Sequence, residues 1–553
     1  MDQQRPFLYL SLFFLGFLIW STWQQDHAPK APVAKTESTL NNSTIPSAST
    51  VTNAGVAESS NTISPANTAN PVSSTLVHVK TDVLDLYINS LGGTIVKADL
   101  PTYPVSLEEK ETAVSILDNE KGYTAQSGLR HEDVNGEYRS DLAPNHYANF
   151  STSQTEYILA DGQDKIEVPL QWTNGQGITV TKTFTFERGK FLVKQSQQVV
   201  NQSNDSWVAS EYLQITHAEH VRKGSLLAGD VAYTGAAYYN DKYIKVSFSD
   251  IADETLNDPV KGGWAAMIEH YFVSAWVPPV ETVNTYYTIF DKPKNNYIIG
   301  VKTPVKVVNS GQTGVFESQF YVGPTDQDEL AAISKGLDLT VDYGIFAFVS
   351  KPIFYVMNLI NKYIVSNWGW TIILLTMFIK LIFFYPSAVS YRSMAKMKKL
   401  GPKIKEISEK YKNDPQAKQK ETMAFYRKEK INPLGGCLPM LIQMPVFMGL
   451  YWVLQESVEL RQAPWILWFK DLSIKDPYFV LPLIMGASMF IQQKLNPPAV
   501  QDPMQQKIFT YLPVVFTVMF LFFPAGLVLY WVVNNILSIF QQWFINKKII
   551  GDG

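Results

Sequence analysis

At 553 residues the chain is long enough for two or three domains. Its 47 basic and 50 acidic side chains nearly cancel, which argues against a nucleic-acid binder, and 46% apolar content fits soluble and membrane parts in one chain. The single cysteine, Cys437, excludes an intrachain disulfide and reads as a small buried hydrophobe in its apolar stretch.

Residues 1–24 carry Arg5 and then an apolar run from Phe7 to Trp20. The run is short enough for a cleaved signal peptide, but bulky side chains follow it where a small-x-small site belongs. An uncleaved transmembrane signal anchor with its N-terminus inside is the expectation. Residues 25–75 are rich in Ala, Ser, Thr, Asn and Pro and predict a disordered tether. From residue 76 the pattern changes to alternation, with Val77, Val79, Leu84, Leu86 and Ile88 ahead of the turn Gly92-Gly93. Similar strands are predicted at 165–172, 178–187, 191–200, 243–248, 285–290, 297–301 and 314–322. Together they predict a large all-β sandwich over residues 76–340, with no helical interruption of a βαβ kind.

Residues 341–366 form an aromatic, amphipathic stretch, read as an interfacial helix on the outer surface. Residues 367–553 then hold five apolar segments, at 368–385, 434–454, 478–493, 507–523 and 527–544. The third and fourth are short for a full span without local bilayer thinning. Between the first and the second lies a loop, 387–433, with 13 basic and five acidic residues, a net +8 that belongs in the cytoplasm. Loop 455–477, with three basic and four acidic residues, belongs outside. Alternation gives six transmembrane helices with both termini inside and the β domain in the periplasm. Within the basic loop Met397, Leu400, Ile404, Ile407 and Tyr411 follow 3-4 spacing, and Asn413-Asp414-Pro415 turns the chain into a second helix. The result is a helical hairpin with a basic outer face (Lys396, Lys398, Lys399, Lys403, Lys405), suited either to anionic phospholipid or to a partner.

Lys380 interrupts the first of the five segments. A cation at bilayer depth is unfavourable by roughly 3 kcal/mol on insertion scales, so it needs a carboxylate, a wet cavity or a path to the interface. It stands about 18 Å of helix rise beyond Trp368 but only about 9 Å before Pro386, so snorkelling to the near headgroups remains open. Uncharged polar residues share these segments: Thr371, Thr376, Gln443, Thr510, Thr517, Asn534, Asn535 and Ser538. Thr376 lies one turn before Lys380, on its face. Each alone suits helix–helix hydrogen bonding; with a buried lysine they permit a hydrated cavity. No phosphate loop, dinucleotide fingerprint or nucleophile elbow occurs, and His217-Ala-Glu-His220 lacks a third metal ligand. No enzyme activity, cofactor or metal is expected.

The run Asn432-Pro-Leu-Gly-Gly-Cys-Leu-Pro-Met-Leu-Ile-Gln-Met-Pro-Val-Phe447 closely resembles the signature of the YidC membrane protein insertases. Thr81-Asp-Val-Leu-Asp-Leu, Lys261-Gly-Gly-Trp-Ala-Ala-Met, Val458-Glu-Leu-Arg-Gln-Ala-Pro, Asp502-Pro-Met-Gln-Gln-Lys and Phe523-Pro-Ala-Gly-Leu-Val-Leu-Tyr are similar to Gram-negative members. The resemblance covers nearly everything but the tether. It implies a five-helix core around a positively charged groove, a periplasmic β-supersandwich, and insertion and folding of nascent membrane proteins, alone or with the Sec translocon. It places Lys380 as the groove cation, more often arginine in relatives, with Thr376 lining the groove. Trp531, after Tyr530, stands where relatives often have a second tyrosine. Gln443, Thr517 and Asn534 complete the expected groove set. With few residues after Lys548, the basic hairpin is the expected ribosome contact.

Two other classes are weighed beside an insertase. A small-solute transporter or channel predicts paired repeats and broken helices at matching positions, which the sequence lacks. A membrane-anchored periplasmic carbohydrate-binding protein would make the β domain the active part, yet that domain has no paired acid/base constellation.

Overall fold

The computed structural model describes residues 74–132, 138–139, 142–218, 233–412, 414–429, 438–495, 503–545 and 547. The expected anchor and nearly all of the tether lie outside them. The β domain is two facing sheets, one of 12 strands and one of eight. Trp207–Ala218 runs through the larger sheet between Thr124–Glu132 and Asn296–Lys302. In the smaller sheet Thr313–Pro324 pairs with Leu192–Asn201 and Phe272–Val277. The predicted strands are present within a few residues, and one short α-helix falls between strands of different sheets without forming a βαβ unit. The expected strand at 243–248 ends at Val246, because Ser247 and Asp250 form a capping box that starts α1 (Phe248–Asp253). A second helix, α2 (Gln327–Ile333), follows the last strand.

One polar relay bridges the sheets inside this core. Lys182 is fully buried, and its Nζ donates to Gly92 O (2.8 Å), Ser127 O (2.9 Å) and Ser127 Oγ (3.1 Å). Ser127 Oγ donates to Gln195 Oε1 at 2.6 Å, and Gln195 Nε2 donates to Glu211 Oε1 at 3.1 Å. Gln197 Nε2 reaches the same carboxylate at 2.8 Å. Burial pushes the Lys182 ammonium down to about 7, against the field of Glu211. Burial likewise pushes the Glu211 carboxyl up, against its Gln197 hydrogen bond and the Lys182 charge.

The helical part begins with α3 (Ala347–Tyr363), which buries Ile353, Phe354, Met357 and Ile360 and leaves Phe348, Tyr355 and Tyr363 exposed. Together with the 3-10 turn before it, Gly344–Tyr363 is long and apolar enough to cross a bilayer. Asn367 caps α4 (Trp368–Ile382), which meets α5 (Phe384–Lys399) at a 67° bend; that bent pair also passes as a span. The hairpin follows as α6 (Gly401–Lys410) and α7 (Pro415–Lys428), with a break at Leu400 ahead of Gly401-Pro402 and Asp414 capping the second helix. Then come α8 (Leu438–Glu456), α9 (Val480–Leu495), α10 (Pro503–Phe520) and α11 (Ala525–Ile545). The 16 residues of α9 and 18 of α10 rise about 24 and 27 Å, short of a bilayer core of about 30 Å.

The loop after α8 keys the two parts together. Arg461 Nη2 donates to Pro104 O (2.7 Å) and Val105 O (3.0 Å), with its guanidinium 5.7 Å from the Phe272 ring centre. His270 Nε2 donates to Gln455 O at 2.9 Å. Glu459 lies in this seam with Oε2 sealed from solvent and unpaired among the described residues. Burial pushes its carboxyl up to about 7, and Asp326 and Asp328 add to the effect, against a backbone hydrogen bond. A raised folded-state value means Glu459 favours the seam below the ordinary glutamate range, and that contribution is lost as pH rises towards about 7. We therefore expect hydrogen exchange at residues 455–462, corrected for intrinsic rates, to show weaker protection at pH 8 than at pH 5. Glu459→Gln should flatten the difference; an unchanged difference would place the titrating group elsewhere.

Candidate functional site: a buried lysine on a polar helix stripe

The side chain of Lys380 is 9% exposed. Among the described residues no carboxylate lies within ion-pair reach of it, and its one hydrogen bond is to Ser538 Oγ at 2.7 Å. Ser538 donates its own proton to Asn534 O, one turn back on α11, at 2.7 Å. The Asn534 side chain forms a reciprocal amide pair with Gln443 of α8, at 3.1 and 3.2 Å. The next residue, Asn535, donates to Ser488 Oγ of α9 at 2.9 Å. Ser538 and Asn535 are 2% and 3% exposed, and Gln541 and Gln542 continue the buried stripe. A helix so polar in a buried position is unfavourable unless each group is paired, and here α11 is tied to α4, α8 and α9.

The other expected groove residues divide. Thr376 is fully buried on the Lys380 face, but its hydroxyl donates to Ile372 O at 2.7 Å. Tyr530, 1% exposed, packs in the helical core. Trp531 lies among Phe447, Phe520 and Phe516, with ring centres at 4.9, 5.5 and 6.4 Å, and its buried Nε1 has no acceptor among the described residues. Thr517 stands apart from the polar set. Its hydroxyl bonds Pro513 O at 2.7 Å and faces Gly486 where α9 crosses α10; a Cβ at 486 would sit 2.1 Å from Thr517 Oγ1. Of the hairpin lysines, Lys396, Lys399, Lys403 and Lys405 are exposed, while the side chain of Lys398 lies outside the described residues. Of the histidine pair, His217 Nε2 contacts Glu269 Oε1 at 2.7 Å, and His220 lies outside them. Sequence reasoning missed the pairing of Ser538 with Lys380; its only signal was a serine four residues after Asn534 on the same face.

The helical part, keyed to an all-β domain, combines a buried cation that has no carboxylate partner among the described residues with one helix and one bent pair apolar enough to span a bilayer, the features of a membrane protein with a large extramembrane module. Residues 76–356 match the family described as "YidC periplasmic domain", and residues 359–552 match "60Kd inner membrane protein". The membrane protein insertase YidC of Thioalkalivibrio sulfidiphilus is 48% identical over 556 residues, covering 99% of this chain and 99% of its own. That of Methylococcus capsulatus is 44% identical over 557 residues with the same coverage. A solved YidC insertase with its first transmembrane domain resolved aligns at 16% identity and a TM-score of 0.36, covering 85% of this chain and 94% of that one. The chain belongs to the YidC family of membrane protein insertases, inner-membrane proteins with a periplasmic β domain.

Proposed function

We propose that this chain inserts and chaperones nascent inner-membrane segments without covalent chemistry, by offering a buried positive charge in a polar groove. The observation that carries this reading is Lys380, buried and held only by a serine among the described residues. Its ammonium attracts acidic residues in a segment about to be translocated. The polar stripe lowers the desolvation barrier for that segment, and short α9 and α10 thin the membrane it crosses. The groove set is Lys380, Thr376, Gln443, Tyr530, Trp531 and Asn534, with Thr517 acting through the α9–α10 contact. Six spans hold both termini in the cytoplasm and residues 25–340 mainly in the periplasm, with residues 341–366 at the outer interface. The basic hairpin faces the ribosome and anionic phospholipid, and the protein works alone or beside the Sec translocon.

The test is reconstitution of the purified chain alone into liposomes, with a short single-spanning client translated outside. Protease-protected client should accumulate only in vesicles containing the chain. Equal protection in empty vesicles would contradict insertion by this protein.

A further inference from the structure

We infer that Ser538 is the positioning residue for Lys380, setting where the cation meets a client; this rests on the groove-cation reading above. A serine hydroxyl has one proton to give and two lone pairs to accept with. At Ser538 the proton and one lone pair are used. The proton goes to Asn534 O, and Lys380 Nζ donates from α4 at 2.7 Å. Lys380 lies on the α4 arm of the 67° bend. One turn further along α11, Gln541 Nε2 donates to Phe384 O at 3.3 Å, satisfying a carbonyl beside the break. The face of α11 carrying Ser538 and Gln541 thus clamps the bend between the span and the arm leading to the basic hairpin. A lysine stem has four rotatable bonds, and among the described residues only this acceptor fixes the ammonium. One of its three protons is spent on Ser538, and the other two, with no acceptor among the described residues, can meet a client carboxylate.

The experiment compares Ser538→Ala, Ser538→Thr and Lys380→Ala in the full-length chain, at matched levels of folded protein. Two versions of one short client are used, one with acidic and one with neutralised translocated residues. Loss of one hydrogen bond to a charged group predicts roughly tenfold slower insertion of the acidic client in Ser538→Ala. The neutral client should insert at the wild-type rate, and Ser538→Thr, which keeps the hydroxyl, should restore the acidic one. If Ser538→Ala fails to fold, Ser538→Cys, nearly isosteric but a weak acceptor, should slow the acidic client alone. Slowing of both clients equally would mark a merely structural serine and overturn the proposal. So would wild-type rates in the Ser538 variants while Lys380→Ala is slow. Wild-type rates in Lys380→Ala would instead remove the groove cation, and this proposal with it.

Discussion

Lys380→Ala is expected to slow insertion of single-spanning clients with acidic translocated segments by roughly ten- to a hundredfold. Two opposite charges at contact near a protein surface interact by about 4 kcal/mol before solvent and side-chain entropy take their share, which leaves that range of rate. Lys380→Glu should be worse, because it repels the same segments. Lys380→Arg should function, since charge at that depth is what the client feels, although a planar guanidinium will meet Ser538 with different geometry. If the lysine merely snorkels, Lys380→Ala relieves an insertion cost and leaves activity intact. An acid at that site is about as unfavourable to insert as a lysine on translocon scales, so instability alone does not separate the variants. The check is client insertion at matched levels of folded protein.

Lys182→Met is expected to lower the stability of the β domain by about 3–5 kcal/mol, the range for removing one partner of a buried charge network. The change strands Gly92 O and Ser127 O and leaves Glu211 without its countercharge. Lys182→Met with Glu211→Leu should recover part of the loss, because both charges then leave the core. Thermal unfolding of the detergent-solubilised chain measures both variants. A single variant as stable as the parent would remove the relay from the forces joining the sheets. Insertion should persist in either variant, as it should when most of residues 76–330 are deleted, since the groove lies in the helical part.

Alternation made the amphipathic strands legible, because each shows the core one face. It failed where both faces are covered. Trp207–Ala218 is buried at nearly every position, as is Phe272–Val277, so no period of two survives in either. Lys182 was readable in retrospect. It falls in phase with Ile178, Val180, Phe184 and Phe186, so the strand that predicts their burial predicts its own. In the helical part the depth of Lys380 and the 3-4 seam of the hairpin came from linear spacing alone. Its contact with Ser538, 158 positions away, depends on how α4 and α11 pack, which no linear pattern encodes. Thr517 and Tyr530 show the converse: both are in polar or amphipathic positions by sequence, but packing gives one to a helix crossing and the other to the core.

The account turns on whether Lys380 acts through charge on the client, and a crossed measurement of insertion decides it. Wild-type and Lys380→Ala chains are each given a short Sec-independent client with its leading Asp and Glu residues intact or neutralised. The expected result is a large Lys380→Ala defect for the acidic client and a small one for the neutralised client. Equal losses for both clients would contradict the pairing of Lys380 with client acids.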